Sequence, residues 1–215
     1  MERIACLVIG YIFGLFQTAY IYGKLQGFDI KNSGSGNYGT TNMLRTKGIK
    51  AGVVVLLCDA FKCVFAVLAV WLIFGKSCGD IFPLLKVYTA AGVILGHNYP
   101  FYLKFKGGKG IAATAGMIIS MGPIFFFTEL VMFFGTFFIT HYVSLGSLLV
   151  YLLLIAETLI MGQMGMFNMD APHLYEMYVI IVLLAIMAFW KHRENIKRLL
   201  TGTERKTYLK KKSEE

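Results

Sequence analysis

The stretch from Asn32 to Arg45, NSGSGNYGTTNMLR, sets three glycines among hydroxyl and amide side chains and ends on a guanidinium. Glycine-rich backbone lets consecutive N–H groups point into a concavity that holds an anion. Ser35, Thr40 and Thr41 add hydroxyl donors, and Arg45 adds a planar fork matched to phosphate. A second stretch, GHNYPFYLKFKGGKG from Gly96 to Gly110, places Gly107, Gly108, Lys109 and Gly110 directly before an apolar run. A helix starting there would add its N-terminal dipole to the loop. Two such loops suggest two phosphates or one diphosphate. The spacing is not the G-x-x-x-x-G-K-[ST] of nucleotide hydrolases, and Gly-Gly-Lys-Gly is also an ordinary way to begin a helix.

His192 and Asn195 are three residues apart, and Arg198 follows three later. On a helix they share a face. Histidine suits proton handling near neutral pH, although a His-Arg pair at a helix end also marks a membrane interface. His97 precedes Asn98-Tyr99-Pro100, where capping a frayed helix end is the plain alternative. Asp59 and Lys62 lie three apart inside a long apolar run, on one helical face. Charges there normally pair or face a polar interior, so a structural ion pair and a site component both fit. His141 and His173 sit near the ends of apolar runs and carry no motif. The cysteines, Cys6, Cys58, Cys63 and Cys78, are scattered, with neither a disulfide framework nor metal-ligand spacing.

These groups must be positioned by apolar elements. Of 215 residues 57% are hydrophobic and only 15% charged, which places the chain among all-α polytopic membrane proteins. Seven apolar runs stand at about 4–23, 51–75, 81–103, 110–122, 124–141, 145–167 and 174–191. The first lacks the basic start and cleavage site of a signal peptide and reads as a retained span. Gly122-Pro123 separates the fourth run from the fifth, the alternative being one kinked helix. With seven spans, 17 of the 21 Lys and Arg residues fall on one side, in linkers 24–50 and 104–109 and around the tail 192–215. The positive-inside rule then puts the C-terminus in the cytoplasm and the N-terminus outside. The polar islands, including VSLGS from Val143 to Ser147, share that face. The net charge of +9 is therefore topological and lipid-facing, not a sign of nucleic acid. Residues 1–215 form one domain, with 207–215 a basic tail.

GSGNYGTTNMLR, GHNYPFYLKFKGGKG and HRENIKRLLTGTE, with DAFK in the second run and SLGS between the fifth and sixth, occur in an order that resembles the bacterial acyl-phosphate:glycerol-3-phosphate acyltransferases over 1 to about 206. Cys63 departs from the pattern, which has glycine after Asp-x-x-Lys. The resemblance implies a seven-span enzyme of the bacterial plasma (inner) membrane with its active site at the cytoplasmic face. It would move a fatty acyl group from a long-chain acyl phosphate to the sn-1 hydroxyl of glycerol 3-phosphate, giving lysophosphatidate for phospholipid synthesis. Its partners would be the bilayer and an upstream soluble enzyme that forms acyl phosphate. No cofactor, metal or nucleic acid is expected.

On that basis Ser35, Arg45, Lys104, His192 and Asn195 are expected to grip the glycerol 3-phosphate phosphate. The loop Gly107–Gly110 with Thr41 and Ser144 would take the acyl-phosphate phosphate, and Gly36, Asn37 and Asn42 complete the substrate-binding set. A mixed anhydride has a good leaving group, so no covalent enzyme intermediate is required. The base is either His192 or the donor's own phosphate. No histidine here has Asp five residues on, so the His-x-x-x-x-Asp chemistry of soluble-type acyltransferases is absent. A transporter of an organic phosphate is the rival from another class. A metal-dependent phosphotransferase is a second rival, poorly supplied with cytoplasmic carboxylates.

Overall fold

The computed structural model describes residues 1–208; the run Lys210-Lys211-Lys212 of the basic tail lies outside them. Among the described residues the secondary structure is helical throughout. The ten α-helices are α1 (Glu2–Gly14), α2 (Thr18–Leu25), α3 (Thr40–Lys47), α4 (Ile49–Phe74), α5 (Phe82–Asn98), α6 (Ile111–Met121), α7 (Pro123–Thr140), α8 (Val143–Gln163), α9 (Ala171–Lys191) and α10 (Arg193–Leu200). Six stretches are long and apolar enough to cross a membrane: Glu2–Leu25, Ile49–Phe74, Gly79–Leu103, Pro123–Thr140, Val143–Gln163 and Ala171–Lys191.

The fourth expected run becomes α6, which has only 11 residues, a rise of ~16 Å against a hydrocarbon core of about 30 Å. The break after it is real. Gly122 adopts φ 132°, a conformation open to glycine, and Pro123 starts α7 where its missing N–H costs nothing. Ile111 and Ala112 at the start of α6 and Phe133, Phe134 and Phe137 late in α7 line the same cavity, so the chain turns back at Gly122.

The first run is not continuous. It divides into α1 and α2, with Gln17 extended at φ −97°, ψ 90°. No glycine or proline marks the break between Gly14 and Thr18; a remote side chain stabilises it instead. The Lys62 ammonium on α4 donates to the freed carbonyls of Phe16 at 2.7 Å and Gly14 at 3.3 Å. Broken backbone at membrane depth is tolerated only with such internal partners.

Gly10 and Gly14 on α1 meet Gly92 and Gly96 on α5. A Cβ at any of the four would lie 2.0–2.3 Å from a carbonyl oxygen of the opposite helix. Small residues at four-residue spacing let membrane helices touch backbone to backbone. That approach brings His97, at the end of α5, against the α1–α2 break. Cys63 is fully buried beside Gly116 of α6, whose bare backbone supplies the room that glycine at 63 would otherwise give. Outward positions such as Phe65, Leu72, Val131 and Ile139 stay exposed, as lipid-facing side chains do.

Candidate functional site

A cavity of about 750 Å³ opens at one end of the bundle, and all four polar islands line it. The opening loop is held by Asn42 at the third position of α3. Its Oδ1 accepts the Ser35 N–H at 2.8 Å, and its Nδ2 donates to the carbonyls of Ser33 at 2.9 Å and Asn37 at 3.1 Å. Asn42 is thus a latch within the loop, and it is not on the cavity lining. Gly36 takes φ 67° to make the turn, and its N–H bonds the Ser33 carbonyl. Ser35, Asn37, Thr40, Thr41 and Arg45 line the cavity. The Thr40 hydroxyl is buried without a partner.

The glycine loop works differently from the sequence expectation. The N–H groups of Gly107 and Gly108 are spent on the carbonyls of Asn98 and His97, both at 3.1 Å. Neither residue lines the cavity. They are glycines because the loop lies on the end of α5: a Cβ on Gly107 would sit 2.0 Å from the His97 carbonyl oxygen, and one on Gly108 2.1 Å from His97 Nε2. The free donors come one turn later. Gly110 takes φ 85° and α6 begins, leaving the N–H groups of Ile111, Ala112 and Ala113 without intrahelical partners beside Lys109.

Lys104 stands apart from the other named residues. It is exposed in a left-handed turn, φ 54°, off the cavity lining. Lys109 is the lysine that enters, and its ammonium donates to Asn195 Oδ1. Burial, together with the neighbouring cations Arg198, Lys191 and Arg45, pulls its pKa down to about 8 against the opposing pull of Glu204.

His192 ends α9 and is 3% exposed. Its Nδ1–H donates to the Ala188 carbonyl at 2.8 Å, which leaves the Nε2 lone pair free. Burial first, and Lys109 second, depress its pKa to about 4, so the ring is neutral at physiological pH. Asn195 follows on α10, and its Nδ2 donates to Glu204 Oε1 at 2.7 Å.

Glu204 is the residue that the sequence reading passed over. It follows Gly202, which turns the chain back at φ 67°. Its carboxylate also accepts from Ser144 Oγ at 2.9 Å and Arg198 Nε at 2.7 Å. Burial pushes its pKa up, but the bonds from Asn195, Arg198 and Ser144 outweigh this and hold it below the usual value. The signal available was an acid set beside Arg205 and Lys206 in a basic segment. Thr207 was missed as well. Its N–H bonds the His141 carbonyl at 2.9 Å, and its hydroxyl accepts from Arg45 at 2.6 Å, while Arg45 also donates to the Arg205 carbonyl at 3.0 Å. Burial lowers the Arg45 pKa, without threatening its charge.

One side of the cavity is polar and cationic, with Arg45, Lys109 and Arg198. The same lining includes the apolar side chains of Leu56, Ile111, Phe133, Phe134 and Phe137. The arrangement can hold anionic head groups beside a long hydrocarbon chain. No cluster of metal-ligating side chains occurs among the described residues.

A family model described as glycerol-3-phosphate acyltransferase matches residues 4–202. Glycerol-3-phosphate acyltransferase 2 of Moorella thermoacetica is 39% identical over 201 residues, covering 93% of this chain and 95% of that protein. The glycerol-3-phosphate acyltransferase of Halalkalibacterium halodurans is 38% identical and covers 99% of this chain and 100% of its own. The crystal structure of PlsY, an integral membrane glycerol 3-phosphate acyltransferase, superposes in its glycerol 3-phosphate form with a TM-score of 0.80 at 31% identity, over 97% of this chain and 96% of that one. Its lysophosphatidic acid form gives 0.78 at 30% identity, over 97% of each chain. The chain belongs to the glycerol-3-phosphate acyltransferase family, the family of PlsY, and is an integral membrane acyltransferase.

Proposed function

We propose that this acyltransferase takes its acyl group from a long-chain acyl phosphate and delivers it to the sn-1 hydroxyl of glycerol 3-phosphate. The supporting observation is the cavity itself, whose lining combines the cations Arg45, Lys109 and Arg198, suited to phosphates, with Phe133, Phe134 and Phe137, suited to an acyl chain. Arg45 with the hydroxyl of Ser35, together with Asn195, takes the glycerol 3-phosphate phosphate; His192, whose one N–H is committed to Ala188, has no donor for it. The N-terminus of α6 with Thr41 takes the donor phosphate; Ser144 lines the same cavity but its hydroxyl proton is committed to Glu204. Lys109 lies between the two sets and replaces Lys104 in the grip.

The hydroxyl oxygen attacks the acyl carbonyl carbon, the carbon–oxygen bond to phosphorus breaks, and inorganic phosphate leaves with the electron pair. The hydroxyl proton ends on that phosphate. His192, neutral and with its Nδ1–H committed to Ala188, offers Nε2 as an acceptor that orients the hydroxyl. A ring whose pKa has fallen to about 4 is a weak proton store, which favours the donor phosphate as the base. Positioning and fixed positive charge supply the rate.

Seven crossings, with α6 as the short fourth, put the basic rim and the cavity mouth in the cytoplasm of a bacterial cell and the N-terminus outside. A soluble enzyme forming acyl phosphate would supply the donor. The test uses purified protein with glycerol 3-phosphate and palmitoyl phosphate, and palmitoyl-CoA in parallel. Phosphate release and lysophosphatidate formation with the acyl phosphate alone are expected; equal or better transfer from the thioester overturns the donor assignment.

A further inference from the structure

After α10 the chain returns across the cavity. Gly202 turns it at φ 67°, and Glu204, Arg205 and Thr207 join the lining. This strap is pinned at both ends. Glu204 accepts from Ser144, Asn195 and Arg198. The Thr207 N–H donates to the His141 carbonyl at 2.9 Å, and the Tyr208 ring lies 4.8 Å from the His141 ring, centroid to centroid. Thr207 is 3% exposed. Its backbone is held by the α7–α8 turn, so its side chain is available for another purpose.

That purpose is found on α3, 162 positions away in the chain. Arg45 Nη2 donates to the Thr207 hydroxyl oxygen at 2.6 Å and to the Arg205 carbonyl at 3.0 Å. Nη2 carries one hydrogen for each acceptor, so the two bonds fix both the place and the plane of the guanidinium. Its N–H groups on Nε and Nη1 bond no protein acceptor among the described residues, and Arg45 lines the cavity.

The chemistry of the two acceptors matters. A carboxylate against Arg45 would neutralise it and compete with a phosphate. A hydroxyl and a carbonyl orient the group and leave its charge for a ligand. The nearby carboxylate, Glu204, is paired with Arg198 instead. An unanchored arginine must be frozen about several bonds each time it binds, whereas an anchored one has lost that freedom on folding. We propose that Thr207 is a positioning residue: by holding Arg45 Nη2 it fixes the guanidinium so that its free N–H groups meet the phosphate of glycerol 3-phosphate in one orientation. Thr207 acts through Arg45 and not on the reacting atoms. The inference rests on Arg45 gripping that phosphate, and not on the identity of the acyl donor.

Equilibrium binding of glycerol 3-phosphate to the purified full-length protein in detergent, by calorimetry without any acyl donor, tests it. Thr207→Val keeps the shape of the side chain and the backbone bond to His141 and removes the acceptor; Thr207→Ser restores the hydroxyl. Losing the anchor of one side chain corresponds to ~3- to 10-fold in affinity, so Thr207→Val should bind glycerol 3-phosphate more weakly by that factor, and Thr207→Ser should bind it within about 2-fold of wild type. The same Thr207→Val exchange made together with Arg45→Lys should change affinity by less than about 2-fold relative to Arg45→Lys alone, because an ammonium has no Nη2 to orient. An equal loss in both backgrounds would make Thr207 a structural brace of the strap and overturn the proposal. Unchanged binding by Thr207→Val would overturn it too, and tighter binding would do so by marking the contact as a competitor of the phosphate. Wild-type protein that does not bind glycerol 3-phosphate would defeat the acceptor assignment itself, and this proposal with it.

Discussion

At the scale of single residues, the site is a set of cations and amides tied together by one carboxylate. Lys109, with its pKa drawn down to about 8, is charged at neutral pH and loses that charge as the pH rises through 8. The value of kcat/KM for glycerol 3-phosphate reports the free enzyme, so it should fall above about pH 8 by roughly tenfold per further unit. Lys109→Arg, which cannot deprotonate, should move that limb beyond pH 9.5. An unmoved limb would remove Lys109 from phosphate binding. His192 has the opposite consequence for stability. Its folded pKa of about 4 lies below the ordinary 6.5, so between those values the unfolded chain takes up a proton that the folded one does not. Acidification through that window therefore destabilises the fold, and His192→Gln should blunt the loss in thermal melts between pH 6.5 and 4. Glu204→Gln keeps an acceptor for Ser144 and Asn195 at Oε1 but removes the charge and replaces the Oε2 bonded by Arg198 with an NH2 group; it should cost about 1–3 kcal/mol in unfolding, with a larger proportional loss of activity. Arg45, Ser35 and His192 were legible from residue type and spacing. Glu204 was not, because its role depends on a turn at Gly202 that carries the chain back over the cavity, and no local pattern encodes that contact.

At the scale of elements, the glycines of GHNYPFYLKFKGGKG were legible as a phosphate-loop pattern but not in their use. Gly107 and Gly108 serve close packing on α5, and the donors come from the start of α6. Gly107→Ala drives a Cβ into backbone, the His97 carbonyl, whereas Gly108→Ala meets a side-chain ring. Thermal unfolding should therefore be lowered in both, and more in Gly107→Ala, with overpacking costs of ~1–3 kcal/mol as the scale. The reverse order would mean that the ring is the less yielding of the two. The division of the first run into α1 and α2 escaped the sequence for a physical reason. Leu15-Phe16-Gln17 contains no breaker, and the released carbonyls are satisfied by Lys62, about 45 positions downstream on α4. Asp59 and Lys62 could be read as paired from their spacing. Only the fold shows that Lys62 braces a helix break and that Asp59 lines the cavity.

At the scale of the whole molecule, hydropathy gave an all-helical membrane protein and the charge distribution gave one basic face. The length of α6 was less legible, because a run bounded by glycines looks the same whether it spans fully or stops short. The proposed orientation puts the loop carrying Cys78 outside and the Gly202 turn inside. A membrane-impermeant maleimide should label Cys78 in intact cells, and Thr203→Cys only after permeabilisation; the opposite pattern inverts the topology.

The proposed function holds donor and acceptor together in one cavity, and acyl transfer is then direct, with no acyl-enzyme. Purified protein incubated with palmitoyl phosphate and 18O-labelled inorganic phosphate, first without and then with glycerol 3-phosphate, measures this. Direct transfer predicts no 18O in the recovered palmitoyl phosphate before glycerol 3-phosphate is added, and lysophosphatidate only afterwards. Label entering palmitoyl phosphate in the absence of glycerol 3-phosphate would reveal a reversible acyl-enzyme and contradict the account.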